Sequence, residues 1–280
     1  MTRPKDLDPS SNPRALLGCE LRHARERAGL SQEALGGPLF VSGSFIGQLE
    51  SGTRRMHMEY AVYFDEKLGT EGFFARNCQA IAKSKYPDHF AEAAEAEAVA
   101  TTIRQYATLL IPGLLQTKSY AEEVFRAYHP TATQETIDAH VAARLERAHL
   151  LDDPTTPLFW AVLDEASLRR EVGGGAVMAE ALRHVAGLGR RHRIIVQVLP
   201  FKAGAHASMA GTLKLMEFTD APPLCFVEGP DMGKLLDDPA TVTRHALMLN
   251  LLQAAALPPK ESLALIDAVA QDYEHGEQHP

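Results

Sequence analysis

The segment from Ser31 to Gly52, SQEALGGPLFVSGSFIGQLESG, constrains the fold of this chain more than any other part of the sequence. Its apolar residues are spaced so that two short crossing helices would bury them. These residues are Leu35, Leu39, Val41, Ile46 and Leu49. The polar residues between them are expected to face outward, and they are Gln32, Ser42, Ser44 and Gln48. Ser31 and Ser42 each precede a helical run, where a hydroxyl can cap the first unpaired backbone N–H groups. The segment therefore predicts two helices joined by a tight turn.

Two short helices joined in this way are typical of a helix-turn-helix, in which one helix braces the other and the second lies in the major groove of DNA. Upstream, apolar residues at helical spacing from Leu17 to Ala28, followed by Gly29, predict a preceding helix with a left-handed glycine cap. The second helix is expected to be truncated near Gly36, because Pro38 removes a helical hydrogen bond and costs about 3 kcal/mol in a helix interior.

The segments LRHARERAGLSQEAL and VSGSFIGQLESGTRR resemble the Xre, or lambda-repressor-like, helix-turn-helix domains. The resemblance covers most of residues 1–70 and implies binding to duplex DNA. In that family the arginine aligned with Arg25 commonly pairs with the glutamate aligned with Glu50, so the resemblance implies that these two residues are structural. The chain departs from the family pattern at 36–38, where helix formers are usual and this sequence has two glycines and a proline.

A small set of residues in this motif is predicted to contact DNA. The set comprises Gln32, Ser42, Gly43, Ser44, Gln48, Arg54 and Arg55. The first two lie at helix N-termini and are predicted to hold phosphates, whereas Ser44 and Gln48 are predicted to read base edges. Gly43 is expected to face outward, as is Gly47, without a side chain to offer to a base. The two arginines follow the recognition helix and are predicted to hold the DNA backbone.

The charge of the chain is unevenly distributed. The 280 residues have a formal net charge of −8. Residues 1–55 contain eight Lys or Arg against six Asp or Glu, and the remainder contains twenty against thirty. This asymmetry fits a DNA-facing module attached to an acidic body, and a homodimer would double the number of phosphate contacts.

The composition predicts a cytoplasmic globular protein. The hydrophobic content of 45% is ordinary, and no apolar run approaches the roughly twenty residues that span a bilayer. The N-terminal residues lack a signal-peptide core, so a membrane is not an expected partner. Cys19, Cys78 and Cys225 have no CxxC spacing, and reduced, mostly buried thiols are expected.

The sequence predicts a multi-domain chain of class α and α/β. After a flexible arm at residues 1–12, a five-helix DNA-binding domain is expected at residues 14–84, and an effector or partner domain at residues 86–280, with a break near Tyr86 and Pro87. Residues 88–151 are predicted to be a helical connector, including the alanine-rich run from His89 to Leu110. Residues 152–280 are predicted to form a mixed four-stranded sheet with helices. The predicted strands are Leu158–Leu163, Ile194–Leu199, Thr212–Phe218 and Leu224–Glu228.

A second resemblance covers roughly residues 86–270. The segments that carry it are TTIRQYATLLIPGLLQTKSYA, ARLERAHLL, WAVLDEASLRR, VQVLPFKAGAHASMAG and ALPPKESLALI. They resemble the C-terminal domain of unknown function that follows an Xre-type helix-turn-helix in many actinobacterial regulators. Members are often described as antitoxin-like transcriptional regulators, and many are encoded beside a small partner protein. The resemblance implies no established ligand or reaction, and it transfers no catalytic residue.

Candidate chemistry in the C-terminal half has ordinary explanations. The three glycines from Gly173 to Gly175 precede a helix but lack the Lys and Ser of a phosphate loop, and Asp164 suits a helix N-cap. The twelve histidines show no metal-binding spacing. His206 and Ser208, in the segment GAHASMAG, loosely resemble the HxK arrangement of phospholipase D-like enzymes but lack its lysine. We therefore predict no catalytic residue, metal or cofactor. A non-catalytic pocket near His206, Ser208 and the loop from Pro200 to Gly204 is the candidate effector site.

Three classes of function are compatible with these residues. The first is a dimeric, sequence-specific transcriptional regulator whose acidic domain receives a signal. The second is an antitoxin-type interaction module that binds a small partner protein encoded nearby and regulates its own synthesis. The third, a hydrolase tethered to DNA, ranks last because paired catalytic residues are missing.

Overall fold

The computed structural model describes residue 9 and residues 13–78, 88–229 and 232–276. Most of the predicted N-terminal arm and the predicted break at Tyr86 and Pro87 lie outside these described residues. The chain forms two compact units. One comprises Met1–Ala100, Met216–Cys225 and Asp231–Thr243, and the other comprises Thr101–Leu215, Phe226–Pro230 and Arg244–Pro280.

Between residues 13 and 78, the described part of the N-terminal region, the chain forms five α-helices. They are α1 (Pro13–Arg27), α2 (Gln32–Gly36), α3 (Gly43–Glu50), α4 (Met58–Leu68) and α5 (Phe73–Cys78). A 3-10 turn at Gly37–Leu39, absent from the predicted count of five helices, follows α2 directly. The predicted truncation of α2 and the left-handed glycine after α1 are both confirmed, since α2 ends at Gly36 and Gly29 has φ +69°.

The apolar residues of the helix-turn-helix form one core with α1, α4 and α5. Leu35, Ile46 and Leu49 are buried as predicted, while Leu39 and Val41 are partly buried and pack against the same cluster. Gly18 on α1 permits a close approach of α3, because a Cβ at this position would lie 2.6 Å from the carbonyl oxygen of Glu50. The side chain of Asp65 accepts hydrogen bonds from the backbone N–H groups of Phe74 and Ala75, which fixes the start of α5.

The predicted helix from His89 to Leu110 is wrong in its second half. Helix α6 spans only Asp88–Glu97. Strand β1 follows it at Thr102–Ala107. The residues of β1 pair in parallel with those of the next strand, and Ile103 and Tyr106 are fully buried, so long-range pairing outweighs the local helix propensity of the alanine-rich run. Residues 88–151 are therefore not all helical.

Within the residues that the structure describes, the sheet has six strands rather than the predicted four. The added strands are β1 and β6 (Met232–Leu236), and the predicted ones appear as β2 (Leu158–Asp164), β3 (Ile194–Leu199), β4 (Thr212–Glu217) and β5 (Leu224–Gly229). The strand order is β3-β2-β1-β4-β5-β6. Strands β1, β2 and β3 are parallel, with Tyr106 opposite Val162 and Asp164 opposite Leu199. Their carboxyl ends consequently lie at one edge of the sheet.

Helices provide the crossovers between the parallel strands. They are α7 (Lys118–Tyr128) and α8 (Gln134–Ala148) between β1 and β2, then α9 (Glu165–Arg169) and α10 (Gly175–Arg190) between β2 and β3. Helices α11 (Pro239–Ala255) and α12 (Pro259–His275) end the described chain, and α12 packs on α10 and β3. The side chain of Asp164 accepts from the N–H of Ala166, which confirms it as the N-cap of α9. In the described ranges, every helix is too short or too polar to cross a bilayer.

Candidate nucleic-acid interface

The carboxylate of Glu50, at the end of α3, joins all three helices of the motif. Arg25 on α1 donates from Nε to Glu50 Oε1 at 2.5 Å and from Nη2 to Oε2 at 3.1 Å. Gln32 on α2 donates from Nε2 to the same Oε2 at 2.9 Å. Glu50 is fully buried, and its hydrogen bond raises the pKa of Arg25 against the opposing effect of burial. The pairing of Arg25 with Glu50 that the family resemblance implies is therefore confirmed.

Both short helices begin at serine caps. The hydroxyl of Ser31 accepts from the N–H of Ala34, and the hydroxyl of Ser42 accepts from the N–H of Phe45, each at 3.0 Å. Ser42 is exposed and Gln32 is half-buried, so the predicted phosphate-binding positions reach the surface at the two helix N-termini. The partial positive charge of a helix N-terminus and its unpaired N–H groups suit a phosphate at this place.

The two glycines of the recognition helix face α2, so the prediction that they face outward is wrong. Gly43 is buried, and a Cβ there would lie 2.5 Å from Oε1 of Glu33. A Cβ at Gly47 would lie 3.3 Å from Oε1 of Gln32. The absence of side chains at these positions lets the polar side chains of α2 pack directly on α3.

The prediction that Gln48 faces outward is also wrong. Its side chain is fully buried, and neither the amide oxygen nor the amide nitrogen has a hydrogen-bond partner among the described residues. Ser44, one helical turn earlier, is half-buried, and its hydroxyl oxygen lacks a partner in the same described ranges. Helical spacing separates Gln48 from Ile46 by about 200° around α3, but it does not show which other parts of the chain contact the side of the helix that carries Gln48.

Arg54 is held by carboxylates, contrary to its predicted place on a DNA-facing loop. Its side chain is 13% exposed, with Nη1 lying 3.3 Å from Asp237 Oδ2 and Nη2 lying 3.6 Å from Glu92 Oε2. The guanidinium carbon lies 4.4 Å from the ring centroid of Phe45. Arg55, the second predicted backbone contact, is half-buried.

Phe40, in the turn of the motif, is a residue that sequence reasoning missed. It ends the 3-10 turn in a left-handed conformation with φ +55°, and its side chain is 99% exposed. The residues on either side, Leu39 and Val41, pack against the core. The left-handed backbone at Phe40 directs its side chain away from the core and into solvent. The spacing of apolar residues in the sequence does not indicate this.

The second unit contains a hydrogen-bonded network at the carboxyl ends of β1 and β2. The hydroxyl of Tyr106 donates to Oδ2 of Asp164 at 2.8 Å and lies 3.2 Å from Nε2 of His206. The N–H of Ser208 donates to Nδ1 of His206 at 3.3 Å. This pattern fits a His206 ring protonated on Nε2, which donates to the phenol oxygen. Burial and the hydrogen bond to Asp164 raise the pKa of Tyr106.

The network joins His206 and Ser208, the two predicted effector residues, to Tyr106 and Asp164. The sequence did not predict these two residues as their partners. The hydroxyl of Ser208 donates to the backbone oxygen of Gly211. Four exposed apolar side chains lie in the loops at this edge or close to it in sequence, namely Leu109, Leu110, Phe201 and Met209. Ligands of parallel α/β sheets bind at such edges. Across the described residues, no group of three or more His, Cys, Asp or Glu side chains is arranged to hold a metal ion.

The helix geometry, the serine caps and the Arg25–Glu50–Gln32 network define a helix-turn-helix protein. Residues 16–72 match a helix-turn-helix domain, and residues 90–268 match a domain of unknown function, DUF5753. The chain belongs to the family of proteins that contain this domain. The predicted combination of a helix-turn-helix with a C-terminal domain of unknown function is thereby confirmed. No curated protein and no solved structure matches the chain.

Proposed function

We propose that this protein is a cytoplasmic, sequence-specific transcriptional regulator that binds duplex DNA as a homodimer. The observation that carries the proposal is the attachment of α3 to α1 and α2 through Glu50, while the N-terminus of α3 at Ser42 remains at the surface. A rigidly held recognition helix whose N-terminus is free is what major-groove docking requires.

The predicted contacts divide into two groups. Gln32, Ser42 and the backbone N–H of Gly43 are proposed to contact phosphates at helix N-termini, and Arg55 is proposed to hold the DNA backbone beyond α3. Ser44 is proposed to read a base edge. Gln48 and Arg54 belong to the proposed interface only in a conformation that exposes them.

Selection of bound sequences from a pool of random 20-base-pair duplexes tests DNA binding. We expect enrichment of a two-fold symmetric sequence, and Arg55→Ala should weaken binding to all sequences alike and reduce the salt slope by about one. Arg126→Ala removes an equivalent charge from an exposed position on α7 and should leave the slope unchanged. Recovery of a pool indistinguishable from the input would overturn the proposal.

The proposed homodimer needs a self-complementary surface. On α11, Leu247 and Leu251 are exposed one turn apart, and exposed Ala254 extends the same face. Two copies of such an apolar helix face can pack on each other around a two-fold axis, which matches the symmetry of a palindromic operator. Leu251→Lys should lower the mass in solution from two chains to one, whereas Leu109→Lys should leave the mass unchanged.

A second function, binding of a small partner protein, is supported by the exposed apolar side chains near the carboxyl edge of the parallel strands. Leu109, Phe201 and Met209 lie in the loops that follow β1 and β3. Exposed apolar groups around a polar network are typical of a protein contact or of a ligand with an apolar face.

Co-purification distinguishes a partner protein from a free effector. Expression of the chain together with its neighbouring genes should yield a small protein in equal molar amount, and Leu109→Lys should release it while Leu251→Lys retains it. Isolation of the chain alone under these conditions would count against the partner and leave a small-molecule effector at the same edge.

A further inference from the structure

The side chains proposed above to read DNA are buried or half-buried in the first compact unit. Ser44 and Gln48 lie one turn apart on α3, and Arg54 follows in the loop after this helix. All three side chains have buried polar atoms without a hydrogen bond among the described residues: Ser44 Oγ, Gln48 Oε1 and Nε2, and Arg54 Nε. Buried polar groups are nearly always satisfied in folded proteins, so these side chains keep a hydrogen-bonding capacity that a bound molecule can use.

Two carboxylates form ion pairs with Arg54. Asp237, in the segment after β6, and Glu92 on α6 both pair with the guanidinium group. Glu92 also accepts a hydrogen bond from the ring of His57, at the start of α4. A second contact of the same kind joins Arg14 on α1 to Glu95 on α6 at 3.2 Å. Acidic side chains thus hold basic groups of the helix-turn-helix domain at several points.

From these contacts we propose that Glu92 and Asp237 form an autoinhibitory latch, which holds Arg54 and keeps Ser44 and Gln48 from DNA. The inference rests on the proposed function. In the open state the amide of Gln48 can pair with a base edge and Arg54 with a phosphate, so DNA supplies the hydrogen bonds that the closed state lacks. DNA binds the open state alone and shifts the population toward it, and its apparent affinity falls by the fraction of chains that are closed.

The latch also connects the two family regions. Glu92 and Asp237 both lie within residues 90–268, which match the domain of unknown function, whereas Arg54 lies within the helix-turn-helix match. A partner or effector that moves α6 or the segment after β6 would release Arg54. The C-terminal region would then control DNA binding without touching DNA.

The first test removes the two carboxylate charges in the full-length chain. Glu92→Gln combined with Asp237→Asn should tighten binding to the selected duplex by about tenfold, the change expected when the open state becomes the major one. Glu135→Gln combined with Asp220→Asn changes the net charge equally at two exposed positions and should leave the affinity within about twofold. If the paired variant loses its helical circular dichroism, Asp237→Asn alone provides the comparison.

The second test measures how accessible position 48 on α3 is to a labelling reagent in the absence of DNA. The thiol of a Gln48→Cys variant is labelled with a maleimide, and peptide mass mapping separates it from Cys19, Cys78 and Cys225. Labelling should be slow with the latch intact and at least tenfold faster with Glu92→Gln and Asp237→Asn. Equal labelling rates and equal affinities would overturn the latch and leave DNA binding standing. Failure of every chain to bind any duplex would overturn the proposed function, whereas the labelling rates would still decide whether position 48 is accessible.

Discussion

Arg25 on α1 and Glu50 at the end of α3 form a two-point hydrogen-bonded ion pair, with N–O distances of 2.5 and 3.1 Å. Removal of one partner leaves the other buried and uncompensated, which costs about 3–5 kcal/mol. Glu50→Ala should therefore destabilise the N-terminal helices strongly. Hydrogen exchange of amides in α1 and α3 measures this locally, and a double-mutant cycle with Arg25→Ala should give a coupling energy of about 0.5–3 kcal/mol. Additive single effects would contradict the pairing.

Two glycines offer a matched test of how the helices approach each other. Gly18→Ala places a Cβ 2.6 Å from the backbone oxygen of Glu50, which cannot move away, so we expect a loss of about 1–3 kcal/mol. Gly43→Ala meets only the end of the flexible Glu33 side chain, and the gain in helix propensity should make it neutral or stabilising by about 0.5–1 kcal/mol. Thermal unfolding of the two variants compares them directly. A larger loss at Gly43 than at Gly18 would show that α2 cannot adjust.

Replacement of Gln48 by an apolar residue separates its stability effect from its effect on DNA. Gln48→Met removes a buried amide with no hydrogen bond among the described residues and keeps the shape, so it should stabilise the closed state by about 1–3 kcal/mol. The same change should relax the preference at one base pair in each half-site, by about 1–3 kcal/mol. Thermal unfolding and competition between operator variants measure the two effects. Loss of stability with unchanged specificity would mean that Gln48 only fills the core.

The contact between His57 and Glu92 predicts a pH dependence. The hydrogen bond with Glu92 raises the pKa of His57 against the effect of burial. Burial alone would raise the pKa of Glu92, but His57 and Arg54 lower it. The contribution of His57 is fully present below its ordinary pKa of 6.5 and is lost as the pH rises through its higher value in the fold. The contribution of Glu92 is present above 4.5 and is lost at lower pH.

Protection factors for amides at the start of α4 should therefore be highest at about pH 4.5–6.5 and fall above this range. His57→Gln should flatten the alkaline part of the profile. The charges of Arg55 and Glu59 also act on His57. An unchanged profile in the variant would exclude His57 as the titrating group.

The network around Tyr106 predicts a selective loss. Tyr106→Phe removes the hydroxyl that contacts Asp164 and His206 and should cost about 1 kcal/mol, while the cap from Asp164 to Ala166 remains. We expect weaker binding of the partner or effector and unchanged affinity for DNA. Tyr63→Phe is the control, because its hydroxyl is buried without a hydrogen bond in the described part of the chain. Equal losses in the two variants would indicate a general packing effect.

The sequence predicted helix ends and strands correctly where nearby residues alone determine them. Serine caps, the glycine after α1 and Pro38 define the ends of the short helices, and β-branched runs between Gly, Pro and Asp define β2 to β5. Strand β1 was missed because its residues follow an alanine-rich helix, and only pairing with β2 distinguishes the two conformations. Strand β6 has only five residues, two of them leucines at its end, so it gives no alternation that could be recognised.

The candidate site was predicted less well, because its contacts join residues far apart in sequence. Helical spacing correctly places Ile46 and Leu49 in the core, but it cannot indicate that Arg54 pairs with Glu92 and Asp237. The arginine alone was consistent with a loop that contacts phosphate. Its carboxylate partners come from α6 and from the segment after β6, and no short-range pattern relates those segments to the helix-turn-helix.

A single carboxylate at Glu50 sets the tilt of the recognition helix against both of its supporting helices. The two angles cannot be adjusted independently, since any shift that favours Arg25 also alters the bond to Gln32. New operator preferences in a chain built this way must arise from side chains of the recognition helix, from Ser42 to Gln48, while its orientation in the groove stays constant.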